Sequence, residues 1–357
     1  NSYEVTVQVT DATGLSSSVP VVITVTDAND PTTGSVTVSG TPVVGETLTA
    51  SNTLADPDGL GAITYQWYRD GVPITVGGTL KDGVNGVDGL ASPRGLILSQ
   101  DGKYAYVTAK NDNAVSWFER NASTGALTYL GMLKDGVGGV DGLLGARSVT
   151  LSSDGNHAYV TGLNENAVSW FERNATSGDL TYGGMLKDGV GGVDGLSSAR
   201  DVAVSPDGRH AYVTAYQDHS VSWFERNATT GALTYGGMVK DGVNGVDGLN
   251  WSLNVLVSPD DRHFYATGIF DHAVSWYERN ATGGGALHYG GVVKDGVNGV
   301  DGLLHARSLT LSSDGKHLYA TGEADNALGW YERNATTGSL VYGGMLKDGV
   351  GGVDGLS

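Results

Sequence analysis

Six times along the chain an aspartate stands six residues ahead of a second one inside a glycine-rich loop, first as Lys-Asp-Gly-Val-Asn-Gly-Val-Asp-Gly-Leu at residues 81–90. Such a loop offers two carboxylates and backbone carbonyls that glycine leaves uncovered. Calcium accepts six to eight oxygens in flexible geometry, so the pairs Asp82 and Asp88, Asp135 and Asp141, Asp188 and Asp194, Asp241 and Asp247, and Asp295 and Asp301 are candidate calcium ligands. The spacing is not that of an EF-hand, because loop positions 3 and 5 counted from Asp82 are Val84 and Gly86. It also departs from tandem nonapeptide calcium loops, whose copies follow one another directly, whereas these lie 53 or 54 residues apart. The competing reading is a structural corner. There the aspartates cap backbone N–H groups or pair with Arg94, Arg147, Arg200 and Arg307 a few residues on.

Other residues carry chemistry of their own. His157, His210, His263 and His317 recur at one position, which Tyr104 fills in the first copy, and recurrence of that kind points to packing rather than catalysis. One copy breaks the pattern: Leu253 replaces the arginine, Trp251 intrudes, and Phe270, Asp271 and His272 follow in a turn. Aromatic rings beside an acid suit a carbohydrate or a cationic ligand; local repacking is the alternative. Five Asn-Ala-Ser/Thr triplets, at Asn121, Asn174, Asn227, Asn280 and Asn334, are glycosylation acceptors by pattern and good turns by chemistry.

These residues must be positioned by short strands. The 357 residues include 56 glycines and no cysteine, with 17% charged residues and 39% hydrophobic ones, a turn-rich profile that still supplies a core. The formal net charge of −18 argues against nucleic acid or an anionic membrane as partner. No thiol chemistry is available, and no apolar run is long enough to cross a bilayer as a helix. Between successive loops lie four segments rich in Val, Thr, Tyr and Trp, for example Arg-Asp-Val-Ala-Val-Ser from Arg200 and His-Ala-Tyr-Val-Thr-Ala-Tyr from His210. Pro-Asp-Gly and Asn-Ala-Thr-Thr-Gly turns separate them. Four strands per unit of roughly 40–50 residues is the β-propeller signature. The expectation is an all-β chain with five four-stranded blades over residues 90–346, alone or as part of a larger ring, the repeats occupying 81–357. The Asp-Gly loops then share one face with Asp112, Glu165, Asp218, Asp271 and Asp325, one acid from each middle turn, and that face is strongly negative.

The stretch Ser-Pro-Asp-Gly-Arg-His-Ala-Tyr-Val-Thr, with its Thr-Gly-Ala-Leu turn, resembles the YVTN or lactonase-like propeller repeats related to 6-phosphogluconolactonase. The first 80 residues differ. Residues 1–31 look like the last strands of a cadherin-like domain and its linker, and that resemblance implies calcium ligands at Asp27, Asn29 and Asp30. Residues 32–80 are similar to a truncated bacterial Ig-like segment, whose last hairpin carries Trp67 where the blades carry Trp117, Trp170, Trp223, Trp276 and Trp330. The start at Asn1 suggests a fragment of something longer.

Near-identical blades suit a non-enzymatic role. The leading expectation is therefore an extracellular module of a bacterial surface adhesin or matrix protein, presenting an acidic propeller face for calcium-dependent binding or for binding cell-surface carbohydrate or protein. Two alternatives stand: a lactonase-type hydrolase, which needs an asymmetric constellation of His, Asp, Glu or Arg at the ring centre, and a spacer that assembles with copies of itself.

Overall fold

The computed structural model describes residues 2–10, 16–24, 32–40, 48–57, 59–60, 63–69, 72–74 and 79–356. All of its regular elements are β-strands. The chain divides into two units, one of Leu80–Arg120 with Leu127–Ser357 and one of Asn1–Thr79 with Asn121–Ala126.

The larger unit contains five antiparallel four-stranded sheets, each built from strands consecutive in sequence. In the third sheet these are Ala199–Val204, His210–Ala215, Ser220–Arg226 and Leu233–Lys240. The expected strands are thus present, joined by the tight turns their Asp-Gly and Asn-Ala-Thr-Thr-Gly sequences specify. In four of the five turns the asparagine carbonyl oxygen accepts local N–H groups, as Asn227 does from Thr229 at 2.9 Å and Thr230 at 3.1 Å. These bonds give the exposed Asn121, Asn174, Asn227 and Asn334 a structural function as turns. Each third strand pairs with the fourth across a register shift that admits a glycine over the repeating tryptophan. Gly237 has φ +142°, and a Cβ there would lie 2.6 Å from the Trp223 ring. Only glycine fits.

Successive sheets are locked by a clasp. Tyr159, fully buried, donates its hydroxyl to the Gly231 carbonyl of the next sheet at 2.9 Å and accepts Arg226 Nε at 2.7 Å. Arg226 Nη2 reaches Asp154 at 2.9 Å and His157 Nδ1 at 2.7 Å. The pattern repeats with Arg279 on Tyr212, Asp207 and His210, and with Arg333 on Tyr265, Asp260 and His263. His157, His210 and His263 are therefore packing residues held between sheets, whereas His317 in the last sheet is exposed. Burial and the adjacent guanidinium push His157, His210 and His263 below the usual imidazole range. Asp154, held to about 2 against the penalty of its burial by bonds from Ser152, Asn156 and Arg226, stays ionised.

The sign of the pH effect follows. Histidines whose folded pKa is depressed contribute stability that is complete above their unfolded value of about 6.5 and is lost as pH falls through their folded values. The aspartates add a second loss from about pH 4 downward. The melting temperature is expected to decline from pH 7 to 5 and again below 4. Replacing His157, His210 and His263 by Gln should flatten only the upper step, as calorimetric melts across this range would show.

The smaller unit holds a sheet in the order Ser2–Thr10, Ser16–Thr24, Thr64–Arg69, Val72–Ile74, and a separate hairpin of Val36–Ser39 with Thr49–Asn52. Strands from before and after residue 31 thus share one sheet, with Val21 opposite Trp67. Leu54 packs there with Val36, Ile63 and Tyr65.

Candidate active site

The second residue of the innermost strand of each sheet is an arginine or its replacement: Arg94, Arg147, Arg200, Leu253 and Arg307. The next residue changes from copy to copy, reading Gly95, Ser148, Asp201, Asn254 and Ser308. Neighbouring residues on a regular strand point to opposite faces. Here each innermost strand carries a register shift at this place, between Ala199 and Asp201 in the third sheet. Such a bulge re-aims a side chain, and both columns line one cavity of about 370 Å³. Threonines on the second strands fix the bulges. Thr214 Oγ1 accepts Asp201 N–H at 3.0 Å and donates to the Leu253 carbonyl of the next sheet at 3.3 Å. Thr108, Thr161 and Thr267 donate likewise to the carbonyls of Arg147, Arg200 and Arg307.

Asp201 is the one carboxylate among the described residues lining this cavity. Its Oδ1 accepts Ser148 Oγ at 2.6 Å and Val202 N–H at 3.0 Å; its Oδ2 accepts Asn254 Nδ2 at 2.5 Å and Val255 N–H at 3.0 Å. Desolvation outweighs these four donors and raises its pKa above the usual carboxylate value. Asn254 is positioned in turn by Leu309 N–H, which donates to its Oδ1 at 3.0 Å.

The arginines crowd one another. Arg147 is pushed below its normal pKa by burial and then by Arg94 and Arg307, and Arg200 to about 10 by burial and then by Arg147. Arg307 alone of the four has an ion pair, with Glu323 at 2.5 Å; among the described residues no carboxylate forms one with Arg94, Arg147 or Arg200. Four cations gathered with fewer counter-charges form a site for an anion. These arginines do not pair with the Asp-Gly loops, which corrects that part of the corner reading.

The loops resolve in detail. The first aspartate accepts the N–H eight residues on, as Asp82 does from Leu90 at 2.9 Å, and the same bond closes the loops at Asp135, Asp188, Asp241, Asp295 and Asp348. The second usually accepts the next N–H, as Asp88, Asp141, Asp194 and Asp301 do, while Asp247 meets Lys294 at 2.7 Å. The acid of the middle turn joins them. Asp82, Asp88 and Asp112 offer oxygens within 4.8 Å of one another, as do the four later triads of Asp135, Asp188, Asp241 and Asp295 with their partners. Lysines lie beside them, Lys134 at 4.0 Å from Asp112 and Lys347 at 3.2 Å from Asp325. Each first aspartate thus has a backbone function that needs no ion. Asp27, Asn29 and Asp30 lie outside the described residues.

Of the aromatic candidates, Trp251 and Phe270 meet edge to face with centroids 4.1 Å apart. Asp271 turns away, accepting Asn250 N–H at 2.9 Å and pairing with Lys294 at 3.6 Å. His272 Nδ1 accepts His305 N–H at 3.1 Å, the task Asn113 and Asn166 perform for Gly145 and Ser198. His272 is thus a turn cap. The sequence reading passed over Asp201, Asn254 and the channel role of the arginines. The signal was present as variation in one column, but only the bulge turns that column inward.

Five repeated four-stranded sheets with innermost strands around a polar cavity define a propeller-like fold. Residues 191–344 match the family model described as Lactonase, 7-bladed beta-propeller. A 6-phosphogluconolactonase from Klebsiella pneumoniae is 23% identical over 312 residues, 74% of this chain and 88% of the relative. In structure the chain is similar to the periplasmic gluconolactonase of Pseudomonas aeruginosa, with TM-score 0.58 and 16% identity over 95% of this chain and 84% of that one. It is similar also to a Lactobacillus plantarum protein, with TM-score 0.60 and 16% identity over 95% and 83%. These relatives overturn the expectation of a non-enzymatic, calcium-dependent adhesin module, since two of the three are named as lactonases. Uniform blades misled because the asymmetry is confined to a few columns, the residue after the arginine among them.

Proposed function

We propose that the chain is a lactonase-type hydrolase acting on an anionic lactone in the channel. The observation that carries this reading is the meeting of four arginines with a single acid, Asp201, in one cavity. Arg94, Arg147, Arg200 and Arg307 hold the substrate's anionic group and stabilise the oxyanion that develops as water adds to the lactone carbonyl. Asp201, joined to Ser148 at 2.6 Å, is the base. Ser148 takes a proton from the attacking water as it passes its own to Asp201. The new bond joins water oxygen to the acyl carbon, the ring C–O bond breaks, and the proton returns to the ring oxygen, leaving a hydroxy acid. The lactonase-named relatives support the same reaction class.

The test is proton release at constant pH from 6-phosphoglucono-δ-lactone and glucono-δ-lactone, with spontaneous hydrolysis subtracted. Both should be accelerated, the phosphorylated lactone with the lower KM, and added salt should shrink that difference. A rate no faster than background for both lactones overturns the proposal. Arg200→Met should raise KM for the phosphorylated lactone by roughly ten- to a hundredfold, the value of a lost charge-assisted hydrogen bond. It should change the neutral lactone much less.

A further inference from the structure

The repeat provides its own control for what each position needs. The residue two places before the variable channel column of strand one is preceded by a position held in the left-handed region in every sheet: Ser92 at φ 59°, Gly145 at 72°, Ser198 at 56°, Trp251 at 57° and His305 at 57°. Small residues suit that backbone, whereas a bulky ring there is an outlier. Strain kept at Trp251, where Ser92, Gly145 and Ser198 show the cheaper solution and His305 is of a type that tolerates the left-handed region, points to function.

The exception has company. Trp251 touches Tyr216, 4.2 Å away by centroid, and Phe270, 4.1 Å away; His305 meets Phe270 at 5.8 Å. At the Phe270 position the other sheets carry Asn111, Asn164, Gln217 and Ala324. Phe270 is 42% exposed. The wall joins the channel through Arg200, whose guanidinium lies 5.2 Å from the Tyr216 ring centroid. In the fourth sheet, two residues after Trp251, the cation is replaced by Leu253. Tyr216, Trp251, Phe270 and His305 do not line the cavity itself. A cavity of about 370 Å³ is at the small end of ligand sites and suits one ring. The aromatic wall therefore addresses a part of the substrate that projects beyond it.

We infer that Trp251 and Phe270 form a platform for a second sugar ring, so that the substrate is a glycosyl-substituted aldonic lactone that also carries an anionic group for the channel arginines. The lactone ring occupies the channel and the attached sugar lays its apolar face on the platform. This rests on the lactonase reading for the reaction, but its binding prediction does not.

The experiment compares lactobionate, which carries a second sugar, with gluconate, which does not, by calorimetric titration, alongside glucono-δ-lactone hydrolysis by the same preparation. Lactobionate is expected to bind at least about tenfold more tightly. Trp251→Ser, which installs the residue found at Ser92 and Ser198, and Phe270→Asn should each bring the two affinities together. Equal affinities in the unaltered protein, no binding of either anion, or variants that weaken both ligands alike would overturn the platform. Hydrolysis without a lactobionate preference sinks the platform alone. Preference without any hydrolysis sinks the lactonase reading alone.

Discussion

Asp201→Asn is expected to lower kcat for lactone hydrolysis by about 10²- to 10⁴-fold, the usual contribution of a positioned base. KM for an anionic lactone should stay level or fall, because the substitution removes a negative charge from a cation-lined channel. That split separates loss of a base from loss of binding. The enzyme-catalysed rate should also climb with pH through a value above the ordinary carboxylate range, since burial raises the pKa of Asp201 and only its ionised form accepts a proton. An amide nitrogen in place of one carboxylate oxygen would face two donors, Asn254 Nδ2 and Val255 N–H or Ser148 Oγ and Val202 N–H. The variant should therefore also lose about 1–3 kcal/mol of stability, which a melt reports. Ser148→Ala provides the second arm, removing the relay hydroxyl without opposing two donors. If both variants retain full kcat while folded, Asp201 is not the base.

The largest effect on stability is expected at the clasp. Arg226 is 1% exposed and binds Tyr159, His157, Asp154 and the Gly208 carbonyl. Arg226→Met keeps most of the apolar stem but leaves a buried hydroxyl, an imidazole nitrogen and a carboxylate short of a donor. Breaking a buried pair from one side costs roughly 3–5 kcal/mol. Asp154 is 34% exposed and regains some hydration, so the lower figure applies, about 3 kcal/mol. That corresponds to a fall in melting temperature of roughly 6–12 °C for a large domain. Lys103→Met, at an ion pair whose members are 69% and 42% exposed, is the control and should shift it little. A drop no larger for Arg226→Met than for Lys103→Met would show that the clasp does not hold the sheets together.

How much of this was legible depends on the range of the interaction concerned. The strands and turns of the repeat are local: alternation, β-branched residues, Asp-Gly and Asn-Ala-Thr-Thr-Gly chemistry act over a few residues, and they locate the four strands of each sheet. The meeting of loop and middle-turn acids, such as Asp188, Asp194 and Asp218, follows from strand connectivity and was equally readable. Packing as the role of the recurring histidines was readable from their repetition, but their partners were not. Arg226 lies 69 residues from His157, and nothing local pairs them.

The channel belongs wholly to the tertiary structure. Arg200 and Asp201 are adjacent, so strand periodicity sends them to opposite faces. Only the bulge in the innermost strand brings both inward. Only the packing of neighbouring sheets sets Ser148 and Asn254, each 53 residues away, on the two oxygens of Asp201. The sequence by itself determined the repeated β architecture, because turns and strands are written in local chemistry. The tertiary structure decided which residues form the site, because that depends on where separate copies converge.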